Sequence, residues 1–305
     1  MADARAARAI HTRGMTATAA IQDDRGPESD WTTALPVDAG AIIRPGEHGC
    51  CRFGSASDRG RVVASVVGRV LRRGDRAVYL HDRLDAHDLV RDLAGADEAV
   101  GTALERGQLI VRSPRIHAVE GTFDIDFLLG WCSDERDRSL ADGYEGVTLI
   151  VEVGAFIADV QALEDFEQRL DALASPTTAI LCIYDPASAA PSSAVASLHD
   201  VDLAPELAPV GREGRLEAAR LRSGALRLAG ELGFGAGPVL TDVLRARFLG
   251  SLALDLADLH YVDALGLREL RGQPGERSIT IVAASEAVRR LSELMGWHTD
   301  PGVGW

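Results

Sequence analysis

Several side chains that can bind a ligand or transfer a proton lie in or next to apolar stretches of this chain. Glu152 lies inside the apolar stretch LIVEVG, where a carboxyl group is costly unless it is paired or belongs to a site. His48 and Cys50 lie in EHGCCRF, and Tyr184 is near the end of the apolar stretch AILCIYD. Imidazole, phenol and carboxyl groups orient small polar ligands in protein pockets, so these residues are candidates for a ligand site.

The expected ligand contacts are polar side chains with Phe53 as an apolar wall. The complete set is His48, Cys50, Phe53, Asp82, Glu152, Glu167, Tyr184 and His199. Two of the choices have competing interpretations: Glu167 could form an ion pair on a helix surface, and the nearby Cys182 is typical of a buried core cysteine. We assign no catalytic residue and leave the cofactor unknown.

We also assign no metal ligand from the sequence. His48 and Cys50 are expected to point to opposite faces of an extended strand, which is a poor arrangement for one shared metal ion. The chain has no Cys-x-x-Cys or His-Glu-x-x-His motif. A zinc or haem site that uses His48, Cys50 or His199 stays open as an alternative.

A second group of candidate residues lies in the stretch HYVDALGLREL. Asp263, Ala264, Leu265 and Gly266 follow the apolar stretch SLALDLADL and open a predicted helix. A helix N-terminus has free N–H groups and a positive dipole end, which can hold a phosphate or contact an acidic partner. Ala264 has no hydroxyl group, so it cannot be phosphorylated. We therefore interpret the turn as a partner-docking surface, with simple helix capping by Asp263 as the alternative.

The composition excludes several functions. All 32 basic side chains are arginine, so no Schiff-base lysine or P-loop lysine exists. The net charge of −14 argues against direct binding of nucleic acid or of an anionic membrane. No apolar run is long enough for a transmembrane helix, and the N-terminus lacks the apolar region of a secretory signal. With four cysteines in no disulfide-framework spacing, we expect a cytoplasmic protein.

The pattern along the chain predicts an α/β fold. After a flexible tail at residues 1–36, strands alternate with helices, which predicts a mainly parallel sheet covered on both faces. Ligands bind such sheets at the carboxyl ends of the strands. An Ala/Pro/Ser-rich stretch then separates a domain at 37–208 from a smaller one at 209–305 with four or five strands and three helices.

Residues 37–208 resemble a MEDS sensory domain, a degenerate relative of the RecA/KaiC-type ATPase fold. The resemblance rests on EHGCCRFGS, GYEGVTLIVEVG, FEQRLDAL, AILCIYD and SLHDVDL. It implies a small-molecule sensor with a degenerate P-loop. The stretch RFGSASDRGRVV takes the place of that loop, but it has no lysine, and it puts Asp58 where a phosphate needs positive charge. Arg59 or Arg61 could contact a phosphate, but ATP hydrolysis is not expected.

Residues 209–305 resemble a STAS domain, the fold of anti-sigma-factor antagonists and of sulfate-transporter tails. The matching stretches are LRLAGELG, LALDLADLHYVDALGLREL and AVRRLSELMGW. In that family an Asp-Ser-x-Gly turn opens a helix, and an anti-sigma-factor kinase phosphorylates its serine. This chain keeps Asp263 and Gly266 but has Ala264 at the serine position. Gly233 is a second departure, because many regulated members have an aspartate there.

The sequence therefore predicts a non-enzymatic signalling regulator with transcription regulation as its role. The MEDS-like domain would bind a small ligand and modulate binding of the STAS-like domain to an anti-sigma factor or a serine-kinase-like signalling protein, without serine phosphorylation. A homodimer stays open. The alternative is a nucleotide-binding switch or a weak ATPase of RecA/KaiC ancestry.

Overall fold

The structure is a computed structural model, and the described residues all lie within the unit Thr32–Trp305. The described residues are 43–53, 56–81, 90–91, 93, 99–113, 124–153, 160–184, 195, 197–203, 216–233, 236, 240, 244, 251–271 and 278–305. The expected tail, Asp82, Asp185 and the domain boundary near residue 210 lie outside these ranges. Among the described residues, no helix is long and apolar enough to cross a membrane.

The named elements alternate along the chain, as the sequence pattern predicts. The strands are β1 (His48–Arg52), β2 (Arg76–Leu80), β3 (Leu109–Arg112), β4 (Val147–Glu152), β5 (Thr178–Tyr184), β6 (Val201–Leu203), β7 (Leu216–Leu221), β8 (Leu226–Leu232), β9 (Leu252–Val262), β10 (Ile279–Ala284) and β11 (Val303–Gly304). The helices are α1 (Ala56–Arg72), α2 (Ala99–Glu105), α3 (Ile125–Ala141), α4 (Val160–Asp171), α5 (Ala264–Arg271) and α6 (Glu286–Leu294), followed by a 3-10 turn at Trp297–Thr299.

The strands form one sheet in the order β11-β10-β9-β8-β7-β6-β1-β5-β4-β2-β3. The strands from β6 to β3 in this order are all parallel to their neighbours. Their sequences agree with this position, because β4 and β5 are continuous apolar runs that are buried along their whole length. The expectation of an α/β fold with a mainly parallel sheet is confirmed.

Helices cover both faces of this parallel part. On one face, α1 and α2 pack on residues such as Tyr79 and Ile150. On the other face, α3 and α4 pack on residues such as Leu149 and Val151. Successive residues of a strand point to opposite faces, so a shift of one position decides which helices a side chain meets. This alternation separates the candidate site residues into two groups.

The C-terminal part continues the same sheet. β7 and β8 form an antiparallel hairpin, and β9, β10 and β11 follow as parallel neighbours. The two parts meet where β6 pairs with β7 in antiparallel orientation. Ala219 and Ala229, on β7 and β8, belong to the same apolar core as the residues of α1. The STAS-like nature of this part stays a prediction.

Two strands differ from the sequence expectations. β6 lies in the stretch that we interpreted as an interdomain linker, because three residues between Pro-rich segments give too short a pattern to detect. β9 continues to Val262 through residues expected to belong to the following turn. Gly74 and Gly143 follow α1 and α3 with positive φ angles of 81° and 92°, the conformation in which glycine commonly ends a helix.

Candidate functional site

The candidate ligand residues form two centres on opposite faces of the sheet. The first, which we call the imidazole centre, lies between the sheet and α4 and consists of His48, Glu167, Cys182, Tyr184 and His199. The second, the carboxyl-edge centre, lies on the α1 face at the carboxyl ends of the strands and contains Phe53, Arg59, Tyr79 and Glu152. The single pocket that the sequence suggested for His48, Phe53, Glu152, Glu167 and Tyr184 is therefore wrong, because neighbouring strand positions alternate between faces.

The imidazole centre is built by four separate segments. His48 begins β1, Cys182 and Tyr184 belong to β5, and Glu167 projects from α4. His199 comes just before β6. The parallel pairing of β1 with both β5 and β6 brings these segments together. All five side chains are buried.

Glu167 lies in the middle of the imidazole centre. Its Oε2 atom is 3.2 Å from His48 Nε2, 3.3 Å from His199 Nε2 and 3.3 Å from Cys182 Sγ. Its Oε1 atom accepts a short hydrogen bond from the Tyr184 hydroxyl. The His48 ring packs edge-on against the His199 ring with 4.5 Å between centroids. One carboxylate is therefore surrounded by four polar side chains.

Burial and hydrogen bonding act against each other on the Glu167 carboxyl. Burial alone would raise its pKa, but the adjacent imidazoles of His199 and His48 outweigh this effect and lower the pKa to about 2. The opposite holds for its neighbours: burial and then the Glu167 charge raise the pKa of the Cys182 thiol. Burial and the nearby Cys182 and Glu167 likewise raise the pKa of Tyr184. In the described structure Glu167 is thus the anion, and the thiol and phenol are hydrogen-bond donors.

Two sequence expectations about this centre are wrong. Glu167 is 1% exposed and does not form a surface ion pair. The sequence pattern already indicated this burial, because Leu163, Phe166 and Leu170 place Glu167 on the apolar stripe of its helix. His48 and Cys50 share a face of β1, because they are two residues apart and not one. The Cys50 thiol donates to Asp202 Oδ1 at 3.7 Å.

The carboxyl-edge centre joins α1 to three strands. Glu152 ends β4 and accepts a short hydrogen bond from the Tyr79 hydroxyl of β2. Arg59 NH1 in the first turns of α1 lies 3.5 Å from Glu152 Oε1, and its guanidinium is 5.7 Å from the centroid of the Phe53 ring. Glu152 is 4% exposed, as expected for an acid that has partners inside an apolar strand. Tyr79 was missed because a tyrosine in an apolar strand is an ordinary core residue.

A network of ion pairs connects the start of β1 with the C-terminal part. Arg227 of β8 is 2% exposed and donates to both carboxylate oxygens of Glu47 at 2.7 Å, and its Nε donates to Asp255 of β9 at 3.1 Å. Arg44 donates to Asp258 at 2.9 Å and to Asp255 at 3.1 Å. We call these five residues the ion-pair network. Glu47 is next to His48, so the network lies beside the imidazole centre.

A second connection runs from α1 to β7. Ser65 donates to Glu217 Oε1 at 2.6 Å, and Arg69 forms a close ion pair with the same carboxylate. Arg69 and Glu217 are both buried. None of these contacts was found from the sequence, because they join residues that are about 150 positions apart.

The turn before α5 has the shape that its residues suggest. Asp263 Oδ1 accepts a hydrogen bond from Gly266 N at 2.7 Å, which caps the helix. A Cβ atom at Gly266 would be 2.3 Å from the Leu232 carbonyl oxygen, so only glycine fits against the end of β8. Ala264 and Leu265 are exposed, and so is Tyr261 at the end of β9. Partner binding by this turn stays a prediction.

Sequence comparison identifies the family of the first part. Residues 47–201, slightly more than half of the chain, match the MEDS family, described as methanogen/methylotroph, DcmR sensory domain. The chain therefore belongs to the MEDS family, which confirms that part of the resemblance and agrees with a sensory role in signalling. The chain has no significant match among curated protein sequences.

Two solved structures that match this chain are distant in sequence. The flagellar accessory protein FlaH from Methanocaldococcus jannaschii is 14% identical, and the match covers 59% of this chain and 79% of that chain with a TM-score of 0.40. A KaiC-like protein from Pyrococcus horikoshii OT3 is also 14% identical, and the match covers 59% of this chain and 82% of that chain with a TM-score of 0.41.

Proposed function

We propose that this chain is a non-enzymatic signalling regulator. In this proposal a small ligand binds at the carboxyl-edge centre of the MEDS domain and alters how the C-terminal part binds an anti-sigma factor or a related signalling protein. The C-terminal part acts as a STAS domain, an assignment supported by its hairpin followed by parallel strands that alternate with helices.

The main support for this proposal is that helix α1 contacts both the carboxyl-edge centre and the C-terminal part. Its N-terminal turns hold Arg59 beside Glu152, and its later turns hold Ser65 and Arg69 against Glu217 of β7. Along this one helix, Arg59 is about 9 Å from Ser65 and about 15 Å from Arg69. A ligand that displaces Arg59 from Glu152 would therefore move the contact with the C-terminal part.

The side chains of the carboxyl-edge centre indicate the chemistry of the ligand. A nucleotide would put phosphate oxygens near this edge of the sheet, where Glu152 contributes a carboxylate. Like charges repel, so the carboxylate disfavours phosphate and favours a small uncharged or cationic molecule. Such a molecule would accept a hydrogen bond from Arg59 or Tyr79 and pack on Phe53. This argument supports a sensor over the alternative of an ATPase.

The output surface in this proposal is the turn before α5. Asp263 and Gly266 hold its backbone in a fixed shape, while Leu265 and Tyr261 expose apolar surface on either side. Exposed apolar side chains with a polar surround are typical of interaction sites. Because Ala264 has no hydroxyl group, the ligand and not a phosphate would control this surface.

The proposal is tested by the small molecules that purify with the chain. The full chain is isolated without denaturation, extracted with organic solvent and analysed by mass spectrometry. We expect a molecule that is retained by the wild type and by the exposed control Glu145→Gln but lost from Glu152→Gln. Equal retention by Glu152→Gln would contradict the site.

The competing function is tested on the same preparations. Titration with Mg·ATP and a phosphate-release assay should give no release above the background of a heat-denatured sample. Release that depends on intact protein and falls in Arg59→Ala would favour the weak ATPase.

A further inference from the structure

The imidazole centre indicates a second binding site, separate from the ligand site proposed at the carboxyl-edge centre. His48 Nε2, His199 Nε2, Cys182 Sγ and Glu167 Oε2 all lie within 4.8 Å of one another. Two imidazoles, one thiol and one carboxylate form the set of ligands that Zn²⁺ prefers in proteins. We propose that these four residues bind a zinc-class divalent metal ion in a closed tetrahedral site.

Four of the six distances among the four ligand atoms are close to those of a tetrahedral site. Metal–ligand bonds of about 2.0–2.3 Å give distances of about 3.4–3.6 Å between any two ligand atoms at tetrahedral angles. Glu167 Oε2 is 3.2 Å from His48 Nε2, 3.3 Å from His199 Nε2 and 3.3 Å from Cys182 Sγ. The distance from His48 Nε2 to Cys182 Sγ is also 3.3 Å. The other two distances, from His199 Nε2 to His48 Nε2 and to Cys182 Sγ, are at most 4.8 Å, so small side-chain movements would admit the ion.

The second nitrogen of each histidine is already held by an oxygen acceptor. His48 Nδ1 lies 3.3 Å from Asp171 Oδ1, and His199 Nδ1 lies 2.6 Å from the Val195 carbonyl oxygen. In the metal-bound state these contacts would hold the ring proton on Nδ1 and direct the lone pair of Nε2 to the ion, as carboxylates and carbonyls do around metal-bound histidines. The Tyr184 hydroxyl occupies Glu167 Oε1 in the same way and leaves Oε2 for the ion.

His199 supplies an independent indication of a missing ligand. Its side chain is buried, and its Nε2 atom has no hydrogen-bond partner in the described structure, although Glu167 Oε2 is 3.3 Å away. A buried polar atom without a hydrogen bond is costly, and a metal ion would satisfy it. No such argument applies to Cys50, whose thiol donates to Asp202.

Charge balance favours a divalent ion. Coordination breaks the Cys182 S–H bond and releases the proton to solvent, and the sulfur electron pair forms the bond to the metal. One thiolate, one carboxylate and two neutral imidazoles then carry two negative charges, which a divalent cation cancels. A neutral cluster suits a buried position. The hard ions Mg²⁺ and Ca²⁺ are disfavoured, because they prefer oxygen ligands.

The number of protein ligands indicates a structural or regulatory ion. Four protein ligands close a tetrahedral site and leave no position for a reactive water. The site joins β1, β5, α4 and the segment before β6, and it lies next to Glu47 of the ion-pair network. Metal binding would therefore fix the register of β6, the strand that pairs with the C-terminal part.

Cobalt substitution tests the proposal directly on the full chain. The chain is unfolded in guanidinium and refolded with Co²⁺, because the centre is buried, and the absorption spectrum is then recorded. We expect about one Co²⁺ per chain, a thiolate-to-cobalt charge-transfer band and the strong visible bands of a tetrahedral site, all removed by Zn²⁺. Refolded wild type without the charge-transfer band would overturn the proposal.

Single substitutions test which residues bind the metal ion. Cys182→Ser should lose the charge-transfer band, whereas Cys132→Ala, which removes another buried thiol outside the four, should keep it. Asp171→Asn changes a half-exposed residue and is expected to fold; it should weaken zinc retention against a chelator by about 10–100-fold. A band that persists in folded Cys182→Ser, or zinc retention unchanged in Asp171→Asn, would contradict the assignment.

Discussion

At the residue scale, the turn before α5 shows how a single side chain determines local shape. Gly266 packs against the backbone of Leu232, and Asp263 closes the first turn of the helix. The sequence indicated both roles, because Asp and Gly at the mouth of a helix have few other uses. The contact that makes glycine obligatory joins the first turn of α5 to the end of β8 and could not be predicted from local sequence.

Replacement of Gly266 should therefore be costly. In Gly266→Ala the added methyl group would meet the Leu232 carbonyl oxygen, and we expect a loss of about 3 kcal/mol in the free energy of unfolding. Gly130→Ala is the matched control, since a Cβ there meets nothing within 4 Å. That variant should be neutral or slightly more stable, because alanine favours a helix interior. Urea unfolding of both variants measures the difference, and equal stabilities would contradict the close contact.

The same turn gives a prediction about phosphorylation. An anti-sigma-factor kinase should not modify this turn in the wild type, because Ala264 has no acceptor, whereas Ala264→Ser is expected to restore an acceptor between Asp263 and Gly266. Mass spectrometry of the kinase-treated full chain locates the phosphate. A phosphate on Ser251 of the wild type would show that the acceptor was misassigned.

At the element scale, the ion-pair network connects segments that the sequence pattern treats as independent. Arg227 of β8 is held by Glu47 and Asp255, which come from the start of the MEDS domain and from β9. A buried ion pair contributes little net stability, but removal of one partner leaves the other charge buried. The network therefore fixes how the two parts of the sheet meet more than it adds free energy.

The coupling between Arg227 and Glu47 can be measured in a double-mutant cycle. Arg227→Leu should lower the free energy of unfolding by about 3–5 kcal/mol, because the buried Asp255 and the partly buried Glu47 lose a partner. Once Glu47→Gln has removed one of these charges, the further cost of Arg227→Leu should be clearly smaller. Additive effects of the two changes would show that Glu47 and Arg227 are not coupled.

Acid should weaken the ion-pair network through Asp255. Burial would raise the pKa of this carboxyl, but hydrogen bonds from Arg44 and from the Ala257 backbone N–H outweigh burial and lower it. A lowered pKa stabilises the fold above the unfolded-state value of about 3.9, and this stabilisation is lost as the pH falls below about 4. Asp255→Asn should thus be less stable than the wild type near neutral pH, with a smaller difference near pH 3. A difference independent of pH would contradict this sign.

The elements were easier to predict than the site. The alternation of strands and helices along the chain was enough to predict an α/β fold with a mainly parallel sheet. The two centres were not resolved, because contacts such as His48 with Cys182 and Arg59 with Glu152 join distant residues across the sheet. Residues two positions apart in a strand share a face, so the expectation that His48 and Cys50 point to opposite faces was wrong.

At the scale of the whole molecule, one continuous sheet runs through both parts of the described chain. β6 and β7 pair across the junction, and the core beneath α1 includes Ala219 and Ala229. We therefore expect the full chain to unfold in a single cooperative transition, with calorimetric and van't Hoff enthalpies that agree. Two well-separated transitions in differential scanning calorimetry would show that the parts fold independently.

The most direct test of the account is hydrogen exchange measured by mass spectrometry on the full chain. Glu152→Gln weakens the Arg59 contact at the carboxyl edge, and the exposed variant Glu145→Gln is its control. If α1 transmits this change, exchange should rise both near Glu152 and in residues 216–221 of β7 and 252–271, which include the turn before α5. A change confined to α1 and the strands beside Glu152, with residues 216–271 unaltered, would contradict the proposed coupling.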